Sequence, residues 1–251
     1  MQERSSCIPC EMEKGSVALV TGAAGALGGA VAQTLAQNGY KVALVDRAAS
    51  PGGRETLDQL AASLRGYAVA GDISLESTWT EAMPRIVREL GQAPSVAALV
   101  AGAWAGGTPL HEETNDETWH AMMTANLATA HRSLRAVLPP MVAMRRGSVV
   151  VVGSRAGDRP ETAARSTAYA ASKAAVVALA QATAAEVFDL GVRVNAVLPS
   201  TLDTAANRSA MPKADTSKWV SLASAAGVIA FLLSDQARDI RGAAVPIYGR
   251  A

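Results

Sequence analysis

The sequence predicts one α/β domain built on a doubly wound parallel sheet of about seven strands, with helices on both faces. Three observations carry this expectation. Short apolar runs alternate strictly with stretches of helical spacing along the whole chain. One run, SVVVVGS (148–154), is unbroken valine at its centre, which suits a strand covered on both faces. The chain has 251 residues, 49% hydrophobic and 18% charged, which suits a single undivided domain with a sizeable core.

Taken in order, SVALVT (16–21) reads as a buried strand that enters a Gly-rich turn, and 27–38 as a helix stopped by Gly39. KVALVD (41–46) is the second strand, 54–64 a helix, YAVAGD (67–72) the third strand and 75–90 a helix. SVAALVA (95–101) is the fourth strand. A long helix follows over 116–138 and is expected to end at Pro139 and Pro140. After the valine strand come a second long helix over 166–189, stopped near Gly191, and a sixth strand, VRVNAVLP (192–199). The segment 200–218 is the least regular and reads as a loop or lid. A helix over 219–233 and a short strand near 243–247 close the domain, which is expected to span 15–251 behind a flexible tail, 1–14.

Composition excludes several classes. A net charge of +1 gives no general attraction to nucleic acid or to an anionic membrane. No uncharged apolar run reaches the length of a membrane span, and MQERSSCIPCEMEKG has no apolar core of a signal peptide. The only cysteines, Cys7 and Cys10, lie in the tail, so no disulfide framework is expected and a cytoplasmic location fits. His111, His120 and His131 are dispersed without ligand spacing, and no metal is expected.

The first turn, VTGAAGALGGA, places Gly22, Gly25 and Gly28 between a strand and a helix. Glycine permits the tight turn and a close approach of backbone to a pyrophosphate, while the helix start offers unpaired N–H groups and a positive dipole end. Asp46 ends the second strand, 18 residues after Gly28, where an acid can bind ribose hydroxyls and repel a 2′-phosphate. This favours NAD (NADH) over NADP, although the neighbouring Arg47 is able to accept a phosphate. Asp72 and Ile73 are expected to flank the adenine.

Tyr169 and Lys173 stand four apart in STAYAASKAAV, which sets them on one helix face. A nearby ammonium is expected to lower the tyrosine pKa, fitting Tyr169 to pass a proton to or from a substrate oxygen. Ser154 ends the fifth strand, and strand carboxyl ends line the ligand crevice of such sheets.

TGAAGALG, GDI, Asn126, VVGS, YAASK and VNAVLPSTLDT occur in the order seen in the short-chain dehydrogenase/reductase family, and the resemblance covers about 15–248. It implies a Rossmann-like fold and hydride transfer between nicotinamide and a carbonyl or alcohol. Asn126, Ser154, Tyr169 and Lys173 match the family's catalytic tetrad. By that match Tyr169 is the general acid/base, Ser154 holds the substrate oxygen, Lys173 holds the nicotinamide ribose and Asn126 positions a relay water. Ala26, Leu27, Ala101, Gly102, Pro199, Thr201 and Thr204 fall at further cofactor positions, Thr204 at the carboxamide. The sequence departs from the family pattern at Ala26, at Leu99-Val100 and at Ser200, and its gap from Ser154 to Tyr169 is slightly long.

GALG, AGAWAGG (101–107) and the stretch 197–219 also resemble dihydropteridine reductases, an NADH-using branch without the serine and asparagine of the tetrad. A quinonoid pteridine is therefore the alternative substrate, and a catalytically idle dinucleotide-binding sensor a remote one. Trp104 is a candidate for stacking on the substrate. Arg155, Arg159 and Arg165 crowd the substrate mouth, and Asn207 and Arg208 are candidates to close over it. Relatives pack partner subunits on the helices matching 116–138 and 166–189, which implies a homodimer or homotetramer acting on a small molecule.

Overall fold

The computed structural model describes residues 15–48 and 52–250; the expected tail, with Cys7 and Cys10, lies outside them. The order of elements is β1 (Val17–Thr21), α1 (Ala26–Gln37), β2 (Lys41–Asp46), α2 (Gly53–Leu64), β3 (Tyr67–Ala70), α3 (Glu76–Leu90) and β4 (Pro94–Leu99). There follow α4 (Glu117–Met122), a π-helical turn (Met123–Ala128), α5 (Thr129–Ala143), β5 (Gly147–Val152), α6 (Arg155–Asp158) and α7 (Thr167–Glu186). The chain ends with β6 (Val192–Pro199), α8 (Ala205–Ala210), α9 (Leu222–Leu233) and β7 (Ala244–Ile247).

The strands form one seven-stranded sheet in the order β3-β2-β1-β4-β5-β6-β7. Every pairing is parallel, as the alternation of strands and helices predicts. Successive residues of β1 go to opposite faces: Val17 and Leu19 join one core with Ile86, Leu134, Val137 and Met141. Ala18 and Val20 join the other, with Val31, Leu35, Ile229 and Leu232. Burial on both faces is the reason the strands carry unbroken apolar runs. The strand order reverses at β1, between β2 and β4, so the loops that leave the carboxyl ends of the paired strands β1 and β4 part to opposite sides and leave a crevice.

Several boundaries differ from expectation. Helix α5 runs through Pro139 and Pro140 to Ala143. Pro139 is exposed and Pro140 only half-buried, so the carbonyls that lose their N–H partners lie toward water, while Val137 and Met141 keep that helix seated in the core. β3, β4 and β5 stop two residues short of the apolar runs, at Ala70, Leu99 and Val152. The residues left over, which include Asp72, Ala101 and Ser154, form the loops at the crevice. α9 starts at Leu222 rather than 219 because Ser221 caps it and Val220 forms a bridge with Leu202. The 200–218 loop contains the short helix α8. Among the described residues no helix is long and apolar enough to cross a membrane, and no group of three or more His, Cys, Asp or Glu is placed to hold a metal.

Candidate active site

The Gly-rich turn is shaped by close approach. Gly22 has φ +68°, and its N–H donates to the Val45 carbonyl at 2.9 Å. A Cβ on Gly28 would lie 2.0 Å from the Gly22 carbonyl oxygen, and one on Gly22 would lie 2.9 Å from the Ala101 Cα. Gly25 caps α1 without a side-chain bond, and no acid occupies the first turn. Gly25 and Ala26 are exposed and Leu27 is buried in the core, so this helix start presents its N–H groups to the crevice through backbone alone. These residues fit a dinucleotide pyrophosphate.

Asp46 is half-buried and braces the turn. One carboxylate oxygen accepts the Ala24 N–H at 3.0 Å and the other the Ala48 N–H at 2.7 Å. A carboxylate has about four lone-pair directions, so each oxygen keeps one for a ribose hydroxyl. Arg47 is exposed beside it. Asp72 accepts from the Ser74 hydroxyl at 2.7 Å and the Ser74 N–H at 2.9 Å, and those bonds hold its carboxyl below the ordinary carboxylate range. Ile73 is buried in the core, with its carbonyl taken by the Trp79 indole.

The four expected catalytic residues converge. Ser154 lies beside the Tyr169 side chain, and its Oγ caps α6 by accepting the Ala156 N–H at 3.1 Å. Lys173 is buried, and its Nζ donates to the Val152 carbonyl at 2.8 Å. A Cβ on Gly102 would lie 2.7 Å from Asn126 Oδ1 and 3.1 Å from Lys173 Nζ, which puts the loop after β4 against both. Asn126 sits in the π-helical turn, a local widening that frequently marks functional sites. Its Oδ1 accepts the Ala103 N–H at 3.0 Å, and its Nδ2 donates to the Ala103 carbonyl at 3.1 Å and to Ser172 Oγ at 3.0 Å. Ser172 Oγ in turn donates to the Tyr169 carbonyl at 2.8 Å. Asn126 is thus a strut between the loop after β4 and the helix of Tyr169.

One expectation is corrected. The lysine does not lower the tyrosine pKa: burial pushes the Tyr169 hydroxyl up, and the neighbouring Ser154 hydroxyl opposes this only in part. Lys173 is itself desolvated, which brings its pKa down to about 8, and its ammonium is directed at the Val152 carbonyl.

The weaker candidates separate. Thr204 caps α8 by accepting the Asn207 N–H at 3.1 Å, and the Asn207 amide donates to the Leu202 carbonyl at 2.8 Å, so Asn207 holds its own loop. Arg208 forms two hydrogen bonds with Asp203, at 2.6 and 2.8 Å. Pro199 ends β6, and the Thr201 carbonyl accepts from the Val220 N–H at 2.9 Å. The expected arginine cluster is dispersed. Arg155 lies over the Tyr248 ring, 5.8 Å from its centroid, and Arg159 is 3.5 Å from Asp158. Arg165 and Gly107 exchange two hydrogen bonds, at 2.6 and 2.7 Å, so Arg165 fastens the AGAWAGG loop. Trp104 is 64% exposed and carries no core packing.

Sequence reasoning missed Thr21, whose Oγ1 accepts the Ala101 N–H at 3.2 Å, and Ser172; the latter lies inside the YAASK motif, which was a usable signal.

A short chain dehydrogenase family profile matches residues 16–215. The chain is 35% identical over 262 aligned positions to a cyclohexanol dehydrogenase of Rhodococcus sp. (strain TK6), which covers 94% of this chain and 96% of that one. Among solved structures it is similar to a NAD+-bound xylitol dehydrogenase, with a TM-score of 0.84, 26% identity and coverage of 94% and 98% of the two chains. It is also similar to a carveol dehydrogenase from Mycobacterium avium in complex with NAD, with a TM-score of 0.83, 26% identity and coverage of 95% and 98%. With the profile spanning most of the described residues and the crevice built as above, the chain belongs to the short-chain dehydrogenase/reductase family of oxidoreductases.

Proposed function

We propose that the protein is an NAD-dependent dehydrogenase/reductase that interconverts a secondary alcohol and its ketone. The observation that carries this reading is the Ser154 hydroxyl lying beside the Tyr169 side chain, with Lys173 one helical turn behind Tyr169 and buried. A single carbonyl oxygen gathers negative charge during reduction, and two hydroxyls converging on one point suit such an oxygen. A bound nicotinamide dinucleotide supplies or takes up the hydride. The chain's own residues do the rest. Tyr169, kept protonated by burial, gives its proton to the substrate oxygen in the reductive direction and recovers it in the oxidative one. Ser154 donates to the same oxygen. Lys173 is placed to hold the nicotinamide ribose, and Asp46 the adenine ribose hydroxyls, where its charge disfavours a 2′-phosphate. Support for NAD comes from the NAD-bound neighbours and from Asp46. The subunits associate as a homodimer or homotetramer through the long helices, and the enzyme works in the cytoplasm.

The exposed Trp104, set in a glycine-rich loop resembling that of pteridine reductases, favours a second reading in which a quinonoid ring stacks there. The test is a panel of neutral secondary alcohols, ketones and a quinonoid dihydropterin, with NADH and NADPH, on the wild type and Tyr169→Phe. The substitution should lower kcat by about 10²–10⁴ on a ketone while NADH binding, followed by fluorescence, persists. Preference for NADPH, or near-normal turnover by Tyr169→Phe, would overturn the proposal.

A further inference from the structure

The turn that carries Ser154 has little to hold it. Helix α6 is four residues long, far too short to be stable alone, so its position is set by what it touches. On one side it rests on α7: a Cβ on Gly157 would lie 2.7 Å from both the Ala174 nitrogen and the Lys173 carbonyl carbon. On the other side it meets Tyr248, just past β7. The Tyr248 hydroxyl donates to the Asp158 carboxylate at the end of α6, and Arg155 at its start lies over the Tyr248 ring. Both ends of the turn are thereby attached to one side chain.

The backbone around Tyr248 ties in two further segments. Ser200, just after β6, donates its N–H to the Ile247 carbonyl at 3.0 Å and its hydroxyl to the Tyr248 carbonyl at 2.8 Å. The Arg250 N–H donates to the Lys218 carbonyl at 3.1 Å, at the end of the irregular 200–218 segment. Burial, reinforced by Asp158, raises the Tyr248 hydroxyl to about 12, so it remains a donor through the neutral range.

We infer that Tyr248 is a positioning residue that clamps the Ser154 turn to the segment after β6 and so fixes where the Ser154 hydroxyl points. Its kinetic consequence rests on the proposed alcohol–ketone reaction; its structural content does not. Loss of the Tyr248–Asp158 bond should loosen α6 while leaving the dinucleotide turn, on the other side of the crevice, in place.

The test combines hydrogen–deuterium exchange with steady-state kinetics on wild type, Tyr248→Phe, Asp158→Ala, the double variant and Asp158→Asn. Tyr248→Phe keeps the ring and deletes only the donor; Asp158→Asn keeps an acceptor. Exchange over 153–160 should quicken in Tyr248→Phe and in Asp158→Ala, no further in the double variant, and little in Asp158→Asn. A misplacement of about 1 Å can cost 10²-fold, so a partial loosening should lower kcat roughly 10-fold with the KM for NADH unchanged. Unchanged exchange over 153–160 in Tyr248→Phe overturns the clamp, as does a double variant whose effects multiply. Faster exchange with unchanged kcat overturns the positioning role. If the wild type turns over no alcohol or ketone, the proposed function fails and the exchange result alone decides the clamp.

Discussion

Two adjacent glycines in α1 should respond to alanine with opposite signs. At Gly28 the new Cβ would meet the Gly22 carbonyl oxygen at 2.0 Å, the Gly22 carbonyl carbon at 2.6 Å and the Ala23 Cα at 2.9 Å. Ordinary contact begins near 3.4 Å, so helix and turn must part by about 1.4 Å, and the obstacle is backbone that cannot swing aside. Overpacking of this kind costs about 1–3 kcal/mol, or more, against a helix-propensity gain of about 1 kcal/mol for Gly→Ala. At Gly29 the nearest atoms are the Ala23 carbonyl oxygen at 3.6 Å and Leu60 Cδ2 at 3.9 Å, both ordinary contacts, so only the propensity gain remains. With roughly 2–4 °C per kcal/mol for a chain of this size, Gly28→Ala should lower Tm by several degrees and Gly29→Ala should raise it. The displaced Gly22 carries the turn proposed to face the pyrophosphate, so NADH affinity should fall sharply in Gly28→Ala and hold in Gly29→Ala. Thermal melts and fluorescence titration of NADH measure both. Equal Tm shifts in the two variants, or an unaltered NADH affinity in Gly28→Ala, would refute the close-approach argument.

Asp46→Ala removes both the braces on the Ala24 and Ala48 N–H groups and the charge that repels a 2′-phosphate, so kcat/KM with NADH should fall and the gap to NADPH should narrow; an unchanged cofactor ratio would show that the charge does not select. Ser154→Ala should lower kcat on a ketone by about 10²–10³ with NADH binding intact, whereas nearly full activity on the best substrate, or a quinonoid dihydropterin as that substrate, would favour the pteridine reading. Lys173 has a folded-state pKa of about 8, below its ordinary 10.5, so the unfolded chain binds more protons between those values. Wild-type stability should accordingly rise relative to Lys173→Met as pH climbs through that window, by at most about 1.4 kcal/mol per unit, and show no relative change below it. Denaturant melts at a series of pH values would expose a solvated lysine as a flat difference.

The fold was legible because burial on both faces leaves a simple mark: Val17 through Val20 divide between two cores, so every position must be apolar. The site was legible where motif spacing encodes geometry, as in the four-residue step from Tyr169 to Lys173. What failed depends on contacts without local trace. Proline reads as a helix stop, and only the outward placement of Pro139 and Pro140 lets α5 continue. The bond from Lys173 to the Val152 carbonyl joins residues 21 apart, and its effect on the lysine comes from desolvation, which no pattern of residues announces. The three arginines after Ser154 stand close together in the sequence, yet the chain gives Arg155 to Tyr248, Arg159 to Asp158 and Arg165 to Gly107.

Two departures from the family pattern, at Leu99-Val100 and at Ser200, have a physical account. Strands that stop short leave loop N–H groups with no ladder partner, and a buried N–H without one costs about 1–3 kcal/mol. After β4, side chains from neighbouring elements take such groups: Thr21 takes the Ala101 N–H and Asn126 takes the Ala103 N–H. With Thr21 and Asn126 holding the loop after β4, Leu99 fills one core and Val100 packs against the other. Ser200 likewise replaces a flexible position with a hydroxyl that reaches the Tyr248 carbonyl. The loop after β4 and the Ser154 turn are therefore held by side chains outside them, and this is how Asn126, Ser154 and the Tyr169–Lys173 pair are brought together from three separate elements.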